Sequence, residues 1–429
     1  MRITDVHATP GYAGFFFDDQ RAIKRGAQQQ GFTYDGDPVT EGFEAIRQAG
    51  EALIVDVTLE DGTVHRGDCA AVQYSGAGGR DPLFRARASV PVVDGPIAEA
   101  LVGRDARDFL ANAELLEDLR PDGTALHTAL RYGVSQALLA AAAAARTTTM
   151  TDVLADALGT VPATDPVPVF GQSGDDRYEN AEKMIVKGVP VLPHGLINSR
   201  EKLGRDGDRL LEYVAWLVER SAELGPAEYE PTFHVDVYGT IGAWFGPPYD
   251  RPEVVDYFAT LAEAAAPHPI RIEGPIDADG RSAQIDAMAA LRDGLRDGGV
   301  DVELVADEWC NTLADVRAFV DGGAADLVQV KTPDLGGVHR SGRAVRYCDG
   351  TDTRAYLGGT CNETATSART CAHVALATDA AQVLAKPGMG FDEGYMIVEN
   401  EMRRTIARRT RRRESIRGTN CETEVTTDD

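Results

Sequence analysis

Lysine is nearly absent from this chain. Six lysines stand beside 37 arginines, and 68 acidic residues outweigh 43 basic ones, for a net charge of −25. A surface this acidic repels a phosphate backbone, which excludes nucleic acid as the main partner. It also repels itself in dilute buffer, and dense counterions screen that repulsion. The composition points to a protein adapted to molar internal salt. Its melting temperature should rise from dilute buffer to molar KCl, and an unchanged value would refute the reading. The six cysteines (Cys69, Cys310, Cys348, Cys361, Cys371 and Cys421) include no Cys-x-x-Cys pair. Neither a zinc site nor a disulfide framework is therefore expected, and the thiols are read as reduced. No apolar run is long enough to span a bilayer, so no membrane role is expected. Acidic residues interrupt the apolar part of "MRITDVHATPGYAGFFFDDQ", which excludes a signal-peptide layout and leaves a cytoplasmic protein as the expectation. There is no Gly-x-x-x-x-Gly-Lys phosphate loop. The Gly-rich "SGAGGR" at 75–80 opens no helix and reads as a capping loop able to close over a substrate.

What is present divides by rhythm. Residues 1–160 read as a mixed region of strands and helices. The stretch "ALIVDVTLEDGTVHRGDCAAVQYSG" (52–76) has two β-rich runs around Asp61-Gly62, a hairpin signal. The alanine-rich "HTALRYGVSQALLAAAAAAR" (127–146) is a strong helix former. Over 161–391, eight short apolar runs alternate with helical stretches. The runs are "VPVFG", "GVPVLPHG", "TFHVDVYG", "IRIEGP", "VELVADE", "DLVQVK", "RAYLGG" and "AQVLAKPG". In "RLLEYVAWLVERS", Leu210, Leu211, Val214, Leu217 and Val218 share one helical face, and "EVVDYFATLAEA" repeats the pattern. Eight strands alternating with helices predict an α/β fold, a (β/α)8-type barrel of parallel strands covered on both faces. Residues 392–429 follow the eighth strand and are expected to pack back on the N-terminal region. Their run "RRTIARRTRRR" (403–413) reads as pairing with acidic neighbours or a second subunit, and the closing "RGTNCETEVTTDD" is expected to fray.

Barrels of this kind hold their active site at the C-terminal strand ends. Strand two ends in His194, strand three in Asp236, strand four in Glu273, strand five in Asp307 (followed by Glu308) and strand six in Lys331. Any one of these carboxylates alone fits a helix cap or an arginine pair equally well. Three on consecutive strands repel one another unless a cation sits between them, and hard oxygen ligands suit Mg²⁺ or Mn²⁺. Lys331 and His194 flank the three in strand order. A lysine against a divalent cation and a dry wall should lose its proton more easily, which suits a general base.

This constellation resembles the enolase superfamily and, within it, the methylaspartate ammonia-lyases. The resemblance covers essentially the whole chain. It is carried by "FGQSGDDRYENAEKMI", "VLPHGLIN", "HVDVYGTIG", "RIEGPID", "VADEWCNT", "VQVKTPDLGG" and "GGTCNETATSA". It implies a capping domain on a (β/α)7β-type barrel and reversible loss of ammonia from (2S,3S)-3-methylaspartate to give mesaconate through a metal-stabilised enolate. It implies that Asp236, Glu273 and Asp307 bind Mg²⁺, that Lys331 takes the C3 proton, and that His194 serves the other face and the opposite C3 epimer. It further implies that Gln172, Gln329, Thr360 and Cys361 hold the substrate, with Gln73 on the capping hairpin as an added contact. K⁺ activation, a homodimer and, given the acidic surface, a haloarchaeal methylaspartate cycle belong to the same set of implications. The nearest rivals are an acid-sugar dehydratase or cycloisomerase and a non-catalytic barrel protein. The former commonly carry Lys-x-Lys on the second barrel strand, where this chain has "VLPHG".

Overall fold

Alternating apolar residues build the N-terminal sheet. The computed structural model describes residues 1–77 and 79–424. It opens with β1 (Ile3–Asp18), a small hairpin of β2 (Gln28–Gln30) and β3 (Thr33–Asp35), then β4 (Arg47–Leu59) and β5 (Val64–Cys69). The sheet order is β1-β4-β5, antiparallel throughout. The hairpin read from residues 52–76 is thus β4–β5, with β1 added as an outer strand. The alanine-rich run is the helix Thr128–Ala145 and lies on β5. Its small residues permit the contact: a Cβ at Gly133 would sit 2.4 Å from the Cys69 nitrogen, and one at Gly67 would sit 2.0 Å from the Gly133 oxygen.

The eight apolar runs form eight parallel strands: β6 (Val169–Phe170), β7 (Val191–His194), β8 (Thr232–Asp236), β9 (Ile270–Glu273), β10 (Glu303–Ala306), β11 (Leu327–Val330), β12 (Arg354–Leu357) and β13 (Val383–Leu384). They close in chain order, with β13 pairing back onto β6. Inward-pointing Phe170, Val191, Val305, Leu327, Tyr356 and Leu384 fill the barrel as one cluster, while the larger core lies between strands and outer helices. The two amphipathic stretches are the helices Asp208–Leu224 and Pro252–Ala265, buried through Leu210, Val214 and Leu217 and through Val254, Phe258 and Leu261.

The helix Phe391–Glu424 lies against the barrel helix Ala365–Thr378. Three of its arginines meet acidic side chains of the same chain. Arg403 pairs with Glu399 at 2.6 Å, Arg404 with Glu401 at 3.1 Å and Arg409 with Asp152 at 2.9 Å. Arg409 also donates to the Ala163 carbonyl at 3.0 Å. Helical backbone covers the part of the closing stretch up to Glu424, and residues 425–429, read as frayed, lie outside the described residues. Among the described residues no helix is long and apolar enough to cross a membrane. The five cysteines from Cys69 to Cys371 are free and buried.

Candidate active site

Strand register brings the acidic residues together. Asp236 and Glu273 end β8 and β9 and face each other as register partners, and Asp307 follows β10 by one residue. All three are buried, and one oxygen from each lies within 4.8 Å of the others. Burial raises the pKa of each carboxyl, and the neighbouring carboxylates add to this for Asp236, held well above the usual range, and for Asp307, pushed up to about 6. Like charges held this close call for a counter-cation, and an all-oxygen donor set fits Mg²⁺.

Glu273 is fixed from below. Its Oε2 lies 2.7 Å from His234 Nε2, and the Tyr356 hydroxyl reaches both carboxylate oxygens at 2.8 Å. Gln329 Nε2 also donates to Oε1 and reaches the Tyr356 hydroxyl at 2.5 Å. Gln382 Nε2 donates to His234 Nδ1 at 2.9 Å, and the Gln382 oxygen accepts from Arg271 at 2.5 Å. That chain of donors leaves the proton of a neutral His234 on Nε2, facing Glu273. Burial keeps the ring neutral, with a pKa well below the ordinary histidine value, and the ring stacks on Phe170 at 4.1 Å. None of His234, Gln382 and Tyr356 was read as functional from the sequence. His234 had a signal in "HVDVYG": two residues before Asp236, it shares its strand face.

The two flanking groups meet opposite ends of the triad. The Lys331 ammonium contacts Asp307, and His194 Nε2 lies 3.4 Å from Asp236. At Lys331 burial and charge oppose each other. Burial pulls its pKa down, but the charges of Asp307 and Glu308 outweigh this and hold the ammonium above the ordinary lysine range. The lowered value expected at the strand end is that of an amine beside a divalent cation, and Asp307 in contact with the ammonium and the charge of Glu308 act in the opposite direction. His194 behaves oppositely: burial lowers its pKa, and its Nδ1 has no hydrogen-bond partner among the described residues. Its backbone is left-handed at φ 70°, followed by Gly195 at 76° and Leu196 at 49°. Non-glycine residues rarely hold that conformation, and it concentrates at functional sites.

These groups line a cavity of about 570 Å³ with walls from both halves of the chain. Every residue singled out in the sequence lines it except Glu273, which is fully buried beneath. Gln172 and Gln329 come from the barrel, and the Gln329 oxygen has no hydrogen-bond partner among the described residues. Thr360 Oγ1 accepts from the Gln73 backbone N–H at 3.3 Å, and the Cys361 thiol donates to Gln73 Oε1 at 3.1 Å. Burial pushes that thiol up to about 12, which leaves it protonated at neutral pH. The "SGAGGR" loop ends in Arg80, which is 3% exposed and bonds Asp334 at 2.8 Å, Asn311 at 2.9 Å and Glu308 at 3.3 Å. Against burial, Lys331 and Arg80 hold Glu308 down to about 2. Arg80, Asp18 and Arg47 also line the cavity, unread from the sequence because nothing local ties them to the barrel.

A closed parallel barrel with carboxylates from three consecutive strands and a lysine on the next defines an enolase-type, metal-assisted enzyme. Muconate lactonizing enzyme from Pseudomonas fluorescens shares the fold, with TM-score 0.58 and 17% identity over 92% of this chain and 88% of that one. The chain belongs to the methylaspartate ammonia-lyase family and is an enzyme of that class: the family models for the N-terminus and C-terminus match residues 1–159 and 162–411. The methylaspartate ammonia-lyase of Haloarcula marismortui is 69% identical over 95% of this chain and 98% of its own. The crystal structure of β-methylaspartase from Clostridium tetanomorphum as a Mg complex has TM-score 0.92 and 54% identity, covering 96% of this chain and all (100%) of that one. The Citrobacter amalonaticus enzyme containing (2S,3S)-3-methylaspartic acid has TM-score 0.92 and 52% identity, covering 95% and 99%.

Proposed function

We propose that this enzyme eliminates ammonia reversibly from (2S,3S)-3-methylaspartate to give mesaconate, with Lys331 as the base at C3. The observation that carries the proposal is the buried triad of Asp236, Glu273 and Asp307 with Lys331 at one end and His194 at the other. The triad would hold Mg²⁺, with Mn²⁺ as a substitute of the same oxygen preference. Bound there, the cation supplies positive charge to a substrate carboxylate and takes up the Asp307 charge that otherwise holds the proton on Lys331. Lys331 Nζ accepts the C3 proton, the electron pair of that C–H bond becomes the C2=C3 double bond, the C2–N bond breaks, and nitrogen leaves with the electron pair of the broken bond as ammonia. Gln172 and Gln329 orient the substrate by their amides, and Thr360 adds a hydroxyl. Buried walls exclude water from the reacting carbons.

His194 faces the opposite side and serves the (2S,3R) epimer. His194→Ala should keep more activity on the (2S,3S) substrate than on (2S,3R), by the ratio of kcat/KM values; the reverse order would overturn the assignment. The acidic, lysine-poor composition supports a salt-adapted cytoplasmic enzyme. The family resemblance carries with it K⁺ activation, a homodimer and a place in a methylaspartate cycle. The deciding assay mixes protein, (2S,3S)-3-methylaspartate, Mg²⁺ and molar KCl and follows mesaconate absorbance in the ultraviolet. A folded protein giving no signal would end this reading.

A further inference from the structure

The cavity wall contributed by the N-terminal sheet contains an ion pair to which the reaction assigns no role. Asp18 ends β1 and Arg47 begins β4, and the two are register partners. The guanidinium grips both Asp18 oxygens at 2.7 Å, with 2% of the Asp18 side chain and 11% of the Arg47 side chain exposed. Arg47 is caged in turn. Its guanidinium carbon lies 4.7 Å from the Phe32 ring, 5.1 Å from Tyr34 and 5.8 Å from Phe15, and it donates to the Phe32 carbonyl at 3.1 Å. The pair is therefore rigid.

Gln73 lies against it. Its Nε2 donates to Asp18 Oδ2 at 2.5 Å, and the Asp18 N–H donates to the Gln73 carbonyl at 3.0 Å. A carboxylate bridged at both oxygens offers lone pairs and no hydrogen, so only the NH₂ end of an amide can face it. That decides which way round the Gln73 amide stands, independently of how N and O are told apart. The Cys361 thiol on the other side, 3.1 Å from Oε1, is a donor facing an acceptor and agrees.

We propose that the Asp18–Arg47 pair is a positioning device that locks the Gln73 amide with its oxygen toward the cavity, where it accepts from the substrate's nitrogen. A 3-alkylaspartate has two carboxylates, which only accept, and one ammonium, which only donates. An acceptor fixed in the wall therefore selects the nitrogen end and keeps the carboxylates for the triad side. The inference rests on the ammonia-lyase reading.

The test uses the addition direction, in which ammonia and mesaconate are varied separately. Asp18→Asn frees the amide to turn and should raise KM for ammonia about tenfold to hundredfold, the worth of one hydrogen bond to a charged group. KM for mesaconate should stay within about twofold. Gln73→Glu alone sets carboxylate against carboxylate and should raise KM for ammonia likewise, which covers the case in which Asp18→Asn does not fold. Combining Asp18→Asn with Gln73→Glu puts the amide at position 18 and the acceptor at 73, so an oxygen again faces the cavity and KM for ammonia should recover. Single variants that leave that KM unchanged, that raise both KM values together, or that the exchange does not rescue would overturn the proposal. Wild-type protein that adds no ammonia to mesaconate would instead sink the lyase reading.

Discussion

Lys331→Ala should lower turnover of (2S,3S)-3-methylaspartate by about 10²- to 10⁴-fold, the range for loss of a positioned general base, and leave Mg²⁺ binding intact. The two effects separate because Lys331 touches the triad only through Asp307. Removing a cation from beside three carboxylates does not weaken their attraction for Mg²⁺. Calorimetry should therefore find Mg²⁺ affinity at least equal to that of the wild type, and initial rates should show the loss in kcat. Lys331→Arg should not rescue, because a guanidinium keeps its proton at any working pH. Turnover retained in Lys331→Ala would remove the residue from the base role.

Glu273→Gln should weaken Mg²⁺ binding more than about a hundredfold, beyond the 10- to 100-fold known for outer partners of metal ligands, and turnover should fall with it. Two costs combine. The substitution removes one of three charges, and it places an amide NH₂ where His234 Nε2, the Tyr356 hydroxyl and the Gln329 amide all donate. A buried donor facing donors cannot be satisfied. Tyr356→Phe should give the lesser, outer-partner effect, since it removes one donor and leaves the charge. Because burial holds the triad's pKa values up, with Asp307 at about 6, Mg²⁺ binding near that pH should release protons, visible as a buffer-dependent heat. Wild-type-like affinity in Glu273→Gln would exclude the triad as the metal site.

The barrel and its rim were legible because their signals are local. Short apolar runs mark strands, and the residue ending each run lands at the mouth, so Asp236, Glu273, Asp307, Lys331 and His194 could be read off singly. Gln329 and Lys331, two apart, share a strand face for the same reason. Strand β1 was not legible. Pro10, Gly11 and Gly14 break its alternation, and its pairing with β4 slips register at Ile3/Asp5 and Tyr12/Phe16. The hairpin "QQQ"/"TYD" of β2 and β3 is too polar to announce itself. The donor chain under Glu273 joins residues 234, 271, 356 and 382, which meet only once the barrel closes. The charge around Lys331 comes from Asp307 in contact with it and from Glu308, both beyond the neighbouring strand, which spacing along one strand does not reveal.

The shortage of lysine has a practical consequence for amine-directed chemistry. Lys386 is fully buried against Glu363 at 2.7 Å, and Lys331 is 7% exposed. A cross-linker or an aldehyde-activated resin therefore meets only the α-amino group, Lys24, Lys183, Lys187 and Lys202. Lys183 and Lys187 both reach Asp392 on one side of the molecule. Lys202 stands in the cavity wall, held by Asp175 at 3.0 Å. Coupling through that amine would tether the protein by its own cavity wall, whereas Lys183 and Lys187 stand outside the cavity lining.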